Sequence, residues 1–299
     1  MRICVIFNPA ARGEKARRFR HLLTEIGSQS ELLSTTAPGD AQRLAAEAVH
    51  AGFTRIVAAG GDGTVNEVLN GIVSASGHQS NVCLGVLPLG TVNVFAREMG
   101  IPPRLQDAWR VALQGREEVI DLPSAEYLTS TGVGTRAFVQ LAGAGLDARA
   151  IELVHWPLKK KIGPLAYVWA GIQAIAEQQP MISVRTPSES VQGELVLVGN
   201  GQLYGGPYRV FPNASLQDGL LELAVFPRAN WVTLLRCAPH LLLRHKLPGG
   251  PVRMLRTNTV ELSCSTGTVP IEVDGEWAGR LPATISIHPA ALRVVVPAR

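Results

Sequence analysis

Residues 55–67, RIVAAGGDGTVNE, pass from an apolar run into three glycines and then into a stretch with helical spacing. Arg55–Ala59 reads as a buried strand, and a helix follows from Val65 to about Val73. Gly60, Gly61 and Gly63 let the backbone approach a ligand closely. A helix opening here aims its free N–H groups and about half a positive charge at that ligand, so phosphate is the natural guest. Asp62 inside an anion site calls for a bridging cation. The plain alternative is a tight strand–helix turn capped by Thr64.

Working outward, the same design recurs. Val82–Leu87 reads as a strand that runs into Pro88-Leu89-Gly90-Thr91 and a helix through Val92–Met99. Ile3–Phe7 ends in Asn8-Pro9-Ala10-Ala11-Arg12-Gly13 before a helix over Glu14–Ile26. Glu31–Leu33 ends in Thr35–Asp40 before a helix over Asp40–Ala51. Leu105–Leu113 is helical, and Val119–Leu122 closes the region as a strand. This alternation predicts a doubly wound parallel sheet with helices on both faces. Four polar loops along one sheet edge point to a nucleotide site. No GxxxxGK[ST] occurs, which excludes a Walker-type NTPase.

After Leu122 the periodicity shortens. Arg136–Leu141, Ile182–Thr186, Glu194–Val198, Leu220–Val225, Val260–Ser263, Ile271–Val273 and Leu292–Val296 read as strands. Helical stretches fall at about Leu165–Gln178 and Trp231–Leu243. The expectation is an α/β domain over residues 1–123 and a β-rich domain over 124–299, the last strand free to return to the first domain. Chemistry is expected in the cleft between them. Gly143-Ala144-Gly145-Leu146-Asp147-Ala148 satisfies GxGxxA but lacks a βαβ context, so it reads as a glycine-lined turn facing that cleft. Asp274-Gly275-Glu276 places two acids in a turn after a strand. An acceptor alcohol needs its proton taken, worth roughly 10²–10⁴ in rate, and one such acid would do it. A solvated hairpin turn is the plain alternative. Asp218-Gly219 reads as a turn or a metal ligand.

Composition narrows the partners. The 299 residues are 46% hydrophobic and 17% charged, enough for two folded domains. Four cysteines without CxxC spacing fit a reducing compartment, and the five-residue apolar run after Arg2 is too short for a signal peptide or a span. A cytoplasmic protein is expected. The net charge of +4 suits nucleotides or acidic lipid surfaces. No nucleic-acid partner is expected, since no basic stripe interleaved with aromatics appears. The seven histidines are dispersed, with no HExxH, and no GxSxG elbow marks a hydrolase. Lys159–Lys161 and Arg244–Lys246, beside Trp156, Trp231 and leucine-rich helices, would suit an anionic membrane surface if they share a face.

GGDGTVNEVLNG with PLGTVNVFARE about thirty residues on, together with NPAARG, TTAPGDA, GAGLDA, NGQLYGGPYRVFPNASLQDGLLEL and VDGE, resembles the diacylglycerol kinase catalytic-domain family. The likeness runs through essentially the whole chain in order. It implies a nucleotide-binding domain like those of NAD kinases and phosphofructokinases, followed by a β-sandwich. It implies an ATP-dependent lipid kinase that visits its membrane peripherally, and leaves a homodimer open. ATP would contact Asn8, Pro9, Ala10, Ala11, Arg12, Thr36, Gly60, Gly61, Asp62, Gly63, Thr64, Val65, Asn66, Glu67 and Thr91. Glu276 matches the general base and Asp274 its companion. A structural Mg²⁺ would sit at Ser215, Asp218 and Leu220, and Asp62 and Asp121 would organise a catalytic Mg²⁺ through water. The sequence departs from the family pattern at Val94, where an Asp is common, and at Arg12, where a Ser is common. A kinase of NAD-like soluble substrates and a weakly catalytic regulator are the rival readings, the second prompted by Val94.

Overall fold

The computed structural model describes residues 2–9, 14–78, 80–153, 173–177, 179–244, 247–250, 252–265 and 267–298. Strands β1 (Ile3–Phe7), β3 (Arg55–Gly60) and β4 (Cys83–Pro88) are buried along their whole length, as strands covered on both faces must be. With β2 (Glu31–Ser34) they form a parallel sheet in the order β2-β1-β3-β4. Helices α1 (Glu14–Gln29), α2 (Asp40–His50), α3 (Asp62–Ser76), α4 (Val94–Glu98) and α5 (Leu105–Gln114) connect and cover it. α2 buries Ala41, Ala45 and Ala48, a stripe at helical spacing. Gly71 of α3 lies against the Gln42 carbonyl, where any Cβ would overlap it, so the two helices pack closely.

Two long antiparallel strands tie the halves together. β5 (Arg116–Thr129) and β17 (Glu276–Val296) pair along most of their length, with register shifts at Arg280/Ala283 and at His288/Leu292. Ala290, at φ 51°, lies within the second shift; such irregularities let a strand bend from one sheet into another. The end of β17 pairs parallel with β4 through Arg293↔Cys83 and Val294↔Leu84. Leu292, Val294 and Val296 lie in the core of the first domain with Ile6, Ile56 and Leu84.

The second domain is antiparallel. β6 (Gly132–Ala137) pairs β5. β7 (Leu141–Gly145), β10 (Leu195–Gly199), β13 (Leu221–Phe226), β14 (Arg253–Thr257) and β16 (Pro270–Val273) form a layer in the order β14-β13-β10-β7-β16-β17. β8 (Ile182–Arg185), β9 (Ser190–Gly193) and β15 (Thr259–Cys264) extend from β17 on the other side. Ala142, Val196, Leu223, Ile271 and Ile285 fill the space between as a sandwich core. β11 (Leu203–Tyr204) and β12 (Tyr208–Arg209) make a small separate ribbon, and α6 (Leu146–Leu153) and α7 (Trp231–Arg244) complete the domain.

Three sequence expectations change. The strand expected over Arg136–Leu141 is two, because β6 ends at Ala137 and β7 begins at Leu141. GAGLDA is a strand–helix junction and not a separate turn: Gly143 lies inside β7 between β10 and β16, and Gly145 ends β7 at φ 89° where α6 begins. They are glycines because Asp147 and Glu272 fill the space over Gly143 and the Glu194 carbonyl fills that over Gly145. α4 opens at Val94, after an irregular loop, and not at Val92. Ala10, Ala11, Arg12, Trp156, Lys159–Lys161, Lys246 and most of the helix expected over 165–178 lie outside the described residues.

Candidate active site

All four parallel strands end on one edge, and their loops meet there. The Leu89 and Gly90 amides donate to the Gly60 carbonyl at 2.9 and 3.3 Å, binding the two glycine loops together. Gly61 and Gly90 face each other so closely that a Cβ on Gly90 would stand 2.6 Å from the Gly61 Cα. Gly61 is the N-cap of α3, so the free amides of that helix open at this junction. Asn8 donates its Nδ2–H to Thr64 Oγ1 at 3.2 Å, which brings the β1 loop into the same cluster. Thr91 is exposed beside it, and Pro9 is exposed at the end of β1.

Two other residues of the expected nucleotide set serve the protein itself. The Thr36 hydroxyl and amide donate to Asp40 Oδ2 at 2.6 and 2.8 Å, and these bonds hold the Asp40 carboxyl well below the usual carboxylate range. Glu67 of α3 accepts from the Gly39 and Ala41 amides, both at 3.1 Å, satisfying the N-terminus of α2. Asn66 and Asn70, one helical turn apart and so on one face, grip the end of β6. Their Nδ2 groups both donate to the Ala137 carbonyl at 3.0 Å, and Asn70 Oδ1 accepts the Ala137 amide at 2.9 Å. Asn66 is fully buried. It is a bolt between the domains.

The two acids after β16 part company. Asp274, at φ 49°, accepts from Asn66 Nδ2 at 2.8 Å and from the Val139, Gln140 and Leu141 amides at 3.0, 3.0 and 3.1 Å. Burial pushes its carboxyl above the usual range against those donors. Both oxygens are used, and the residue holds the turn. Glu276 instead reaches across to the first domain. A Cβ on Gly63 would overlap its Oε1, while Arg136 Nη2 donates to its Oε2 at 2.6 Å. The Glu276 side chain is 42% exposed and open to a ligand. A carboxylate thus stands directly over the glycine loop, with one oxygen held and one free.

The acids expected around Mg²⁺ each have donors within the protein. Asp62 Oδ1 accepts from the Phe95 amide at 3.3 Å. Burial raises its carboxyl, and the amides of Val94, Phe95 and Asn93 pull it back. Val94 therefore meets Asp62 through its backbone. Asp121, 3% exposed, accepts from the Gly219 amide at 2.7 Å and the Ala290 amide at 2.8 Å, one bond on each oxygen. Asp218 accepts from the Leu220 amide at 3.0 Å and from Arg256 Nη2 at 2.6 Å, and Ser215 Oγ accepts from the Gln217 amide at 3.3 Å. Arg256 already supplies the positive charge in that loop. Among the described residues no three His, Cys, Asp or Glu side chains form a metal-holding group.

Arg136, Asn70, Glu98 and Gln140 join the candidate site although the sequence conceals them. Glu98 of α4 accepts from the Gln202 and Leu203 amides at 3.1 and 2.9 Å and from Gln140 Nε2 at 3.2 Å, clasping the second domain. Arg136 sits in an alternating strand whose other residues give no sign of it. Only the spacing of Asn66 and Asn70 carried a legible hint, two amides on one helix face.

A glycine loop at a helix N-terminus, faced by a carboxylate from a β-sandwich, is the layout of a kinase-type phosphotransferase. Comparison with known proteins narrows the class. Residues 2–125 match the Diacylglycerol kinase catalytic domain family, and residues 140–296 match the YegS C-terminal NAD kinase beta sandwich-like domain. The chain is 30% identical over 303 residues to the diacylglycerol kinase of Bacillus subtilis (strain 168), spanning 98% of this chain and 95% of that protein. It is 33% identical over 299 residues to the Pseudomonas putida protein named "Probable lipid kinase YegS-like", spanning 98% and 94%. A crystal structure of a diacylglycerol kinase from Bacillus anthracis str. Sterne has the same fold, with a TM-score of 0.76, 21% identity and coverage of 99% and 96%. This chain belongs to the diacylglycerol kinase catalytic-domain family, and it is a kinase.

Proposed function

We propose that the protein is an ATP-dependent lipid kinase that moves the γ-phosphate of ATP to a lipid hydroxyl, with Glu276 as general base. The observation that carries this reading is the placement of Glu276 Oε1 over Gly63 while Arg136 holds Oε2. The phosphates would lie on the Gly60–Thr64 loop and the α3 N-terminus, close to the Gly90–Thr91 loop. Oε1 would take the hydroxyl proton as that oxygen attacks in line, and the arginine keeps the carboxylate from swinging away. Mg²⁺ enters as the chelate of ATP, part of the substrate, where it offsets charge on the phosphates. The acceptor is a lipid alcohol of the diacylglycerol type, supported by the names of the relatives.

Contact with an anionic membrane is part of the reading. α7 exposes Trp231, Val232, Leu235 and Leu243 on one side while Cys237 is buried on the other, and Arg228 and Arg236 are exposed nearby. Such a helix suits the interface of an anionic bilayer. Among the described residues no helix is long and apolar enough to cross one.

The test is Glu276→Gln, which keeps size and hydrogen bonding but cannot take the proton. Phosphate transfer from labelled ATP to a panel of lipid alcohols should fall by about 10²–10⁴, with ATP affinity retained in a direct binding assay. A fully active variant would remove Glu276 from the mechanism. Transfer to NAD and not to lipid would replace the acceptor.

A further inference from the structure

Beneath the turn that carries Glu276 lies a second acidic cluster that phosphoryl transfer does not use. Glu272, on β16, is fully buried, and Asp147 stands in the first turn of α6. Gly143 of β7 lies against both: a Cβ there would come within 2.6 Å of Asp147 Oδ2 and 2.8 Å of Glu272 Oε1. Both of these oxygens are sealed from solvent, and neither finds an N–H or O–H donor. The remaining oxygens are occupied. The Tyr204 hydroxyl donates to Asp147 Oδ1, and the Gly275 amide donates to Glu272 Oε2 at 2.7 Å. Among the described residues no arginine or lysine acts on either acid, and Arg149 of α6 is paired with Glu152 and Glu177.

Two buried acceptors facing each other without a donor repel as two anions but form a strong bond around one proton. We propose that Asp147 and Glu272 share a single proton and that this pair, through the Glu272–Gly275 bond, positions the turn that presents Glu276. The groups facing the pair are Tyr204, on β11, and Asp274, and both are acids. Burial pushes both members of the pair upward, with the charge of Asp147 raising Glu272 further. The turn needs such a hold, because Asp274 and Gly275 are both left-handed, at φ 49° and 82°, and an aspartate adopts that conformation at some cost. Asp147 and Glu272 are positioning residues. The assignment rests on Glu276 being the base only for its functional half; the shared proton stands on the geometry alone.

Infrared spectroscopy of the intact chain without substrate tests the proton directly. The wild type should show the carbonyl band of a buried protonated carboxylic acid at neutral pH, missing from Glu272→Gln and from Asp147→Asn. That band should vanish at alkaline pH together with a fall in Tm. The folded pair holds its proton more tightly than the unfolded chain, so its stabilisation is lost as pH rises through the folded value. Glu272→Gln should lose this alkaline fall. A wild type without a band that depends on Glu272 overturns the proposal, since two ionised carboxylates, alone or bridging a cation, give none. For the positioning role, Glu272→Ala should lower kcat by about tenfold or more with KM for ATP unchanged, and Glu272→Gln should restore most of it. Equal loss in both variants overturns that role. A normal band in a protein that phosphorylates no lipid would sink the kinase reading and leave the shared proton standing.

Discussion

Gly63 is a residue at which activity and stability should part. It lies in the first turn of α3, where alanine is a better helix former than glycine. Its missing side chain makes room for Glu276 Oε1. Gly63→Ala should therefore keep the wild-type Tm while kcat falls on the order of 10²-fold, the cost of moving a reacting group by about an ångström. A thermal melt alongside steady-state kinetics checks both halves, and unchanged kcat would show that the carboxylate has room to spare. Gly63 and Glu276 are each visible in the sequence as part of a motif. Their contact is not, because 213 positions separate them and no local rule relates their side chains.

At the scale of elements, the helices divide into those that build the site and one that faces outward. α2 and α3 are joined by Glu67, which spends its carboxylate on the α2 amides, and α4 is locked to the second domain by Glu98. α7 is different. Trp231 is 45%, Leu235 71% and Leu243 81% exposed, more apolar surface than a helix facing only water would present. Replacing Trp231 and Leu235 together by serine should weaken binding to anionic vesicles, measured by co-sedimentation, while activity on a short-chain, water-dispersed acceptor persists. Equal vesicle binding in the variant would move the membrane contact elsewhere. Element types were legible from periodicity in the first domain, where strands are short and run into polar or glycine-bearing loops. They were less so in the second. β9 and β14 have few buried positions, and the first half of β17 follows a tight turn with no break to announce it. GAGLDA misled for a related reason. Gly143 answers to acids that arrive from β16 and α6, and Gly145 to a left-handed φ of 89° beside the Glu194 carbonyl.

Across the whole molecule, β5 and β17 make the two halves one unit, and a histidine pair sits where they meet α3. His78, just past α3, stacks on His288 of β17 with ring centroids 3.9 Å apart, and Ser124 Oγ of β5 lies 3.0 Å from His288 Nε2. Burial, and then the neighbouring His288, hold the His78 imidazole below its ordinary pKa. The folded state therefore takes up this proton less readily than the unfolded chain. Stability present above the ordinary imidazole value is lost as pH falls through the lowered one. His78→Phe keeps an aromatic stack without the titration, so its Tm should fall less than that of the wild type in mild acid. Parallel melting curves across pH would show that the stack is not the sensitive element.

The sequence by itself determined a parallel α/β half, a β-rich half, the glycine loops at one sheet edge and the family, because each follows from local periodicity or from residues close together in the chain. Only the tertiary structure decided which acids are free to act. Asp62, Asp121, Asp218, Asp274 and Glu276 read alike in the sequence as candidate ligands or bases. Folding gives Asp274 four N–H donors, Asp121 two amides and Asp218 an arginine, while Glu276 keeps an oxygen open over the glycine loop. The physical reason is that a buried carboxylate must be satisfied by whatever donors packing brings to it, and those donors come from strands and helices far apart in the chain.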